Sequence, residues 1–198
     1  MFKIIAAAAL VASSFAASAA TNLVQDGSFE STVTDSWTTV YNGDTAWTTT
    51  SHGLEIRNDG TAGTAQDATK FAELDTDVNT WISQDLATVA GQEYKLTFYI
   101  EDRPGTVAST NGLSFSVSNA TGNTSSTIGS VSNWTEYSYW FTGTGSPSTL
   151  TFTALGTSDG YGSSLDNISV TAVPEANSIM MLAAGLGLLG LARRRARK

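Results

Sequence analysis

The chain has no cysteine among its 198 residues. A disulfide framework is therefore excluded, and any stable core must come from side-chain burial alone. The lack of a free thiol suits passage into an oxidising compartment. Histidine is almost absent too: His52 is the only one, in the turn-like stretch Ser51-His52-Gly53. That count excludes a metal site built on histidines and leaves papain-like and Ser-His-Asp centres little support. Cations are scarce in the middle of the chain. Of ten Lys and Arg residues, six lie near the ends: Lys3, Arg193, Arg194, Arg195, Arg197 and Lys198. Between residues 21 and 172, four cations (Arg57, Lys70, Lys95, Arg103) face seventeen carboxylates, a net charge near −13. Such a surface repels nucleic acid, which needs clustered Lys and Arg to neutralise phosphate. It tolerates divalent cations and keeps an exported protein soluble.

What the chain has is two marked ends and a patterned middle. The N-terminus reads Met1-Phe2-Lys3, then an almost wholly apolar run from Ile4 to Phe15, then Ala17-Ser18-Ala19. One positive charge, an apolar run too short to span comfortably and a small-x-small site make residues 1–20 a cleavable signal peptide for the Sec translocon and signal peptidase. The C-terminus runs Val173-Pro174-Glu175-Ala176, an apolar stretch bearing Gly185, Gly187 and Gly190, and a closing basic cluster. From Ala176 to Ala192 is 17 residues, at the lower limit for a transmembrane helix. The basic cluster stays cytoplasmic by the positive-inside rule, which leaves the body on the far side of the membrane. The signal peptide implies the same topology.

The last 26 residues resemble the PEP-CTERM sorting signal: a short Pro-Glu-Pro box, a glycine-bearing apolar helix and an arginine cluster. Val173, Pro174, Glu175, Ala176, Arg193, Arg194 and Arg195 carry the likeness, with Ala176 standing where a second proline is usual. The resemblance implies recognition of residues 173–198 by exosortase, a membrane-embedded transpeptidase, after a transient stay in the inner membrane. The destination it implies is the cell surface or the extracellular matrix of an exopolysaccharide-making bacterium.

The middle, residues 21–172, shows period-two alternation broken by Gly, Asn, Ser and Asp. Tyr94, Leu96, Phe98 and Ile100 alternate with Lys95, Thr97, Tyr99 and Glu101, and Arg103-Pro104-Gly105 ends that strand. Leu113/Phe115/Val117, Tyr137/Tyr139/Phe141 and Leu150/Phe152/Ala154 repeat the pattern, and Leu165, Ile168 and Val170 close it. Leu54/Ile56 and Trp81 to Leu86 make shorter strands. No helical periodicity and no fixed repeat is visible. The expectation is an all-β fold, one jelly-roll sandwich flanked by the signal peptide and a C-terminal transmembrane helix. The segments Asn22 to Glu30 and Ser164 to Val170 resemble the opening and closing strands of the galactose-binding-like jelly roll of carbohydrate-binding modules. Ile82 to Phe98 is similar to its central strands.

That resemblance implies one structural calcium between the first and last strands, with carboxylates from Glu30 and Asp166 and a third contribution from Asp26. Calcium takes roughly six to eight oxygens, so backbone carbonyls would complete the shell. Sugar binding needs a flat ring with polar neighbours. Trp37, Tyr41, Trp47, Trp81, Trp134 and Trp140 are the candidates, each more readily a core residue than a platform because aromatics bury large areas. Trp140 and Tyr99 lie opposite their strands' apolar rows and are the expected ligand-contacting pair. The acidic pairs Asp75/Asp77 and Glu101/Asp102 do not by adjacency give the separation a glycosidase needs, and no enzymatic activity is expected. The threonine runs, such as Thr48-Thr49-Thr50, lack the regular repeat of an ice-binding face. The expectation is thus an exported surface or matrix protein whose sandwich associates with exopolysaccharide. The alternative is a purely structural or adhesive component without a specific ligand.

Overall fold

In the computed structural model, residues 21–174 and 185–186 are described. The signal peptide and the tail residues Glu175, Ala176, Arg193, Arg194 and Arg195 lie outside them. Gly185 and Leu186 have helical geometry. No helix among the described residues is long and apolar enough to cross a membrane.

The body is built of short strands: β1 (Trp37–Val40), β2 (Thr48–Thr49), β3 (Leu54–Asn58), β4 (Lys70–Glu73), β5 (Trp81–Leu86), β6 (Glu93–Glu101), β7 (Leu113–Val117), β8 (Ala120–Gly122), β9 (Ser125–Ile128), β10 (Thr135–Gly143), β11 (Ser148–Ala154) and β12 (Ser164–Ala172). One 3-10 turn interrupts them at Ala108–Thr110. They form two antiparallel sheets, a seven-stranded one in the order β1-β3-β4-β12-β6-β10-β8 and a five-stranded one in the order β2-β5-β11-β7-β9.

Alternation explains why the sheets close on each other. In β6 the residues Tyr94, Leu96, Phe98 and Ile100 are buried, while their neighbours stay partly exposed. In β11 the same holds for Leu150, Phe152 and Ala154. Phe98 joins the layers: its ring meets Phe152 at 5.0 Å and Phe115 at 5.6 Å, both edge-on, across the interface. Each such fully buried ring stabilises the fold by roughly 1.5–3 kcal/mol relative to exposure.

Two expectations need correction. The segment Asn22 to Glu30 is not an opening strand. Asn22 makes a single bridge to Thr171, and the chain then turns with Asp26 at φ 52° and Phe29 at φ 58°. Gly27 lies so close to β12 that a Cβ there would sit 2.0 Å from the Ile168 carbonyl oxygen. The segment plugs one end of the sandwich instead: Phe29 is buried against Trp47, and the Gln84 side chain bonds the Gln25 backbone at both its N–H and its carbonyl. Aromatic burial is the second correction. Trp47 is a core residue and Trp140 is exposed, both as expected, but Trp37, Tyr41 and Trp81 are exposed too and Trp134 is half-buried.

Candidate functional site

The seven-stranded sheet buries its outward side as well as its inward one, over part of its width. Leu54, Ile56 and Ala72 point into the core, so Glu55, Arg57, Phe71 and Glu73 face outward, and all four are buried. Register sets Trp37 beside Arg57, Arg57 beside Phe71, and Glu55 beside Glu73. Phe71 lies outside the main core cluster and meets the edge of Trp134 at 6.2 Å. Trp134 in turn donates its indole N–H to the Thr64 carbonyl, holding the 59–69 loop over this part of the sheet.

Buried charges need partners. Arg57, 2 % exposed, donates from Nε to Glu55 Oε1 at 2.7 Å. Its Nη1 lies 2.7 Å from Glu73 Oε2. Arg103 donates from Nη1 to Glu73 Oε1 at 3.1 Å. Glu73 thus stands between two guanidiniums, yet burial outweighs their pull and pushes its carboxyl up to about 8. Arg103 also stacks on Tyr161, with its guanidinium carbon 4.4 Å from the ring centroid.

Three clefts open around Arg103. One of about 270 Å³ is floored by Glu55 and Arg57 and walled by Trp37, Thr61 and Ala62. A second, about 420 Å³, reaches Tyr161 and Asp159. A third, about 250 Å³, reaches Glu101 and Asp102. Together they form a groove flanked by two exposed rings, Trp37 and Tyr161, over a floor of hydrogen-bonding charges. Its dimensions and mixed lining suit a small polar ligand or one or two units of a polymer.

Trp140 and Tyr99 lie on the outer side of the same sheet. Trp140 is 43 % exposed, with the Lys95 ammonium 5.6 Å from its ring. The Tyr99 hydroxyl donates to Glu136 at 3.2 Å; partial burial and that carboxylate raise its pKa. The two rings are four positions apart on the β6·β10 ladder and do not meet. Neither lines the clefts around Arg103. Sequence reasoning missed Arg57, Arg103, Glu55, Glu73 and Tyr161. The pointer available was that two of the middle's four cations stand at alternating or strand-ending positions, in Leu54-Glu55-Ile56-Arg57 and before Pro104.

Glu30 and Asp166 are brought to the two ends of one loop. Glu30 accepts the N–H groups of Thr69 and Lys70, which hold its pKa down against desolvation. Asp166, wholly buried, accepts those of Gln66, Asp67 and Asn167, and burial still pushes its carboxyl up to about 7. Asp26 is turned away, its carboxylate taken by Ser31. Among the described residues, no three His, Cys, Asp or Glu side chains form a metal-holding group. His52 Nδ1 faces Asp77 at 2.8 Å, both exposed on the surface.

Two packed antiparallel sheets make the body an all-β sandwich. The chain belongs to the family described as protein of unknown function DUF642, which matches residues 22–171. Residues 172–198 match the PEP-CTERM protein-sorting motif. Among solved structures, the fold is similar to TmCBM61, determined in complex with β-1,4-galactotriose, at a TM-score of 0.53 and 14 % identity, covering 77 % of this chain and 99 % of that one. The CBM22-1 xylan-binding domain of Paenibacillus barcinonensis Xyn10C matches at a TM-score of 0.46 and 19 % identity over 81 % of this chain and 100 % of its own. No curated protein matches the chain.

Proposed function

We propose that this is an exported cell-surface or matrix protein, sorted by exosortase, whose sandwich binds polysaccharide in the Arg103 groove and has no catalytic role. The observation that carries the reading is the pair of exposed rings, Trp37 and Tyr161, flanking a buried charged floor on one outer face. Rings of this kind offer an apolar platform for a pyranose face, and fixed donors and acceptors orient its hydroxyls. The TmCBM61 complex with a galactose trisaccharide supports the class of ligand by analogy of fold. Trp140 and Tyr99 extend the platform along the sheet, and the polymer is exopolysaccharide at the producing cell's own surface. Glu55 and Glu73 are held by guanidiniums and Asp102 by Ser130 and Val131, an arrangement for positioning and not for acid–base work. A glycan array probed with the full-length protein in mild detergent tests this. Saturable binding that Trp37→Ala weakens tenfold or more is the expected result; uniform absence of binding leaves a purely structural or adhesive surface protein.

The sorting part has its own test. Intact mass of the protein recovered from cells with and without exosortase should show a species starting near residue 20 and ending near Pro174, released only when exosortase is present. Val173 is already tied to the sheet, donating to the Glu93 carbonyl and accepting from Gln92, so the box begins where the fold stops.

A structural calcium beside Glu30 and Asp166 belongs to the same proposal. Both carboxylates retain acceptor capacity beyond their N–H partners, and a cation there would relieve the buried charge of Asp166. Asp26 takes no part without a turn of its loop. Thermal unfolding in millimolar calcium against chelator should differ by several degrees; coincident curves would remove the ion from the account.

A further inference from the structure

We infer that the Arg103 groove selects sugars that carry a carboxylate, such as uronic acids, with Arg103 as the receiving guanidinium and Arg57 adding its charge from the floor. The inference rests on the carbohydrate reading above and narrows it.

The distribution of charge is the first reason. The middle of the chain has four cations against seventeen carboxylates, and two of those four line one cleft. A surface this acidic repels anionic polymers everywhere else. Concentrating arginine at one groove creates the only kind of place among the described residues where an anion meets the charge of two guanidiniums at once. Lys70 and Lys95 are elsewhere, paired with Glu30 and Glu136.

The second reason is unspent donor capacity. Arg57, with its side chain 2 % exposed and its Nη1 2.7 Å from Glu73 Oε2, lends charge to the floor, and Arg103, with its side chain 18 % exposed, is the guanidinium a ligand reaches. Arg103 uses only Nη1 in its side-chain bonds, to Glu73 and to the Gly160 carbonyl. The residue lines all three clefts. A planar fork with free donors matches a carboxylate bidentately, as an ammonium cannot.

The third reason is the state of the floor. Glu73 accepts from Arg103 and lies beside Arg57, and burial pushes its pKa up to about 8, which weakens its hold on the charge of both arginines near neutral pH. Glu55 is the other counter-charge beneath the two guanidiniums. The rim restrains this. Glu101, Asp102 and Asp159 border the adjoining clefts, so the groove suits an isolated carboxylate flanked by neutral sugars better than an unbroken polyanion. Tyr161 under Arg103 and Trp37 opposite supply the ring faces for those neighbours.

The test is calorimetric titration of the full-length protein in mild detergent at pH 6, with galacturonic and glucuronic acid tetramers and their carboxyl-reduced, neutral forms. The expected result is at least tenfold tighter binding of an acid form. That preference should vanish in Arg103→Gln and mostly vanish in Arg103→Lys, which keeps charge but loses the fork. Trp37→Ala should weaken acid and neutral forms alike. Equal affinity for acid and neutral forms, still sensitive to Trp37→Ala, would overturn the inference and keep the carbohydrate reading. Binding of neither form would overturn both. Retention of the acid preference in a folded Arg103→Gln, checked by near-UV dichroism, would reject the assigned residues.

Discussion

The two outer faces of the sandwich obey the same inward rule and differ in everything else. On the five-stranded sheet the outward positions form cross-strand rows of hydroxyls: Thr48, Ser83, Thr151, Ser116 and Ser125 in one, and Thr153, Ser114 and Thr127 beside Trp81 in the next. The one charge in this array, Asp85, accepts from the Thr149 hydroxyl. On the seven-stranded sheet the outward positions carry tryptophan, tyrosine, arginine and glutamate, and loops cover part of them. Small hydroxyls suit an exposed strand, because β-branched threonine fits the pleat and its polar atom reaches water. Buried Glu55, Arg57 and Glu73 do not have that local explanation. A fold that needs only solubility outside would have used the hydroxyl solution twice, so the second face is where a function other than folding is written.

Substitutions can break this contrast. The core between the sheets serves both faces, so Phe98→Ala should cost about 3–5 kcal/mol and unfold the two together; urea curves followed by tryptophan fluorescence and by far-UV dichroism should coincide. Glu73→Ala removes the acceptor shared by two guanidiniums and should cost about 2–4 kcal/mol, whereas Thr151→Ala on the hydroxyl face should stay within about 0.5 kcal/mol. Equal losses from the two would abolish the distinction between the faces.

The pH dependence sharpens the contrast further. A carboxyl whose folded pKa stands above its unfolded value favours the fold while protonated. That contribution is complete below the ordinary carboxylate range near 4 and is lost as pH rises through the folded value, about 7 for Asp166 and about 8 for Glu73. Glu30 acts oppositely: its lowered pKa adds stability above the ordinary range that fades in acid. Melting temperature should therefore peak near pH 5 and fall toward pH 8. Glu73→Gln, which mimics the protonated acceptor, should flatten that fall. A melting temperature rising from pH 5 to 8 would contradict the burial assigned to both groups. The smallest expected effect is on Trp140→Ala, a loss of about twofold in glycan affinity against tenfold or more for Trp37→Ala, read by titration; the reverse order would move the site along the sheet.

The same contrast explains what the sequence made legible. Strands β5, β6, β7 and β11 have one apolar and one polar side, so alternation marked them closely. Strand β4 reads Lys70-Phe71-Ala72-Glu73 and is buried on both sides, so no alternation exists to find. The Asn22 to Glu30 segment has the composition of a strand but is held by Gln84 and by the Ile168 N–H, which donates to the Gly27 carbonyl, partners remote in sequence. The site was hidden for the same reason. Its charges come from positions 55, 57, 73 and 103 and its second ring from 161, and only the register of β3 with β4 and the path of the 103–107 turn unite them. Trp37 was visible as a candidate ring, but nothing local distinguished it from Trp47, which is core.

Strand β12 runs from one of these features to another. Ser164, at its start, pairs with Glu73 and Glu101 beneath the groove, and Ala172, at its end, pairs with Tyr94 a residue before the sorting box begins. It is also an inner strand, flanked by β4 and β6. On the function proposed above, a polymer tugging on the groove while the tail is anchored would load the molecule along this strand. Its ladder bonds to β6 lie across that pull and would be strained together in shear, not opened one after another like a zip. The strand that would join the proposed grip to the proposed tether is nine residues long and is paired along both edges.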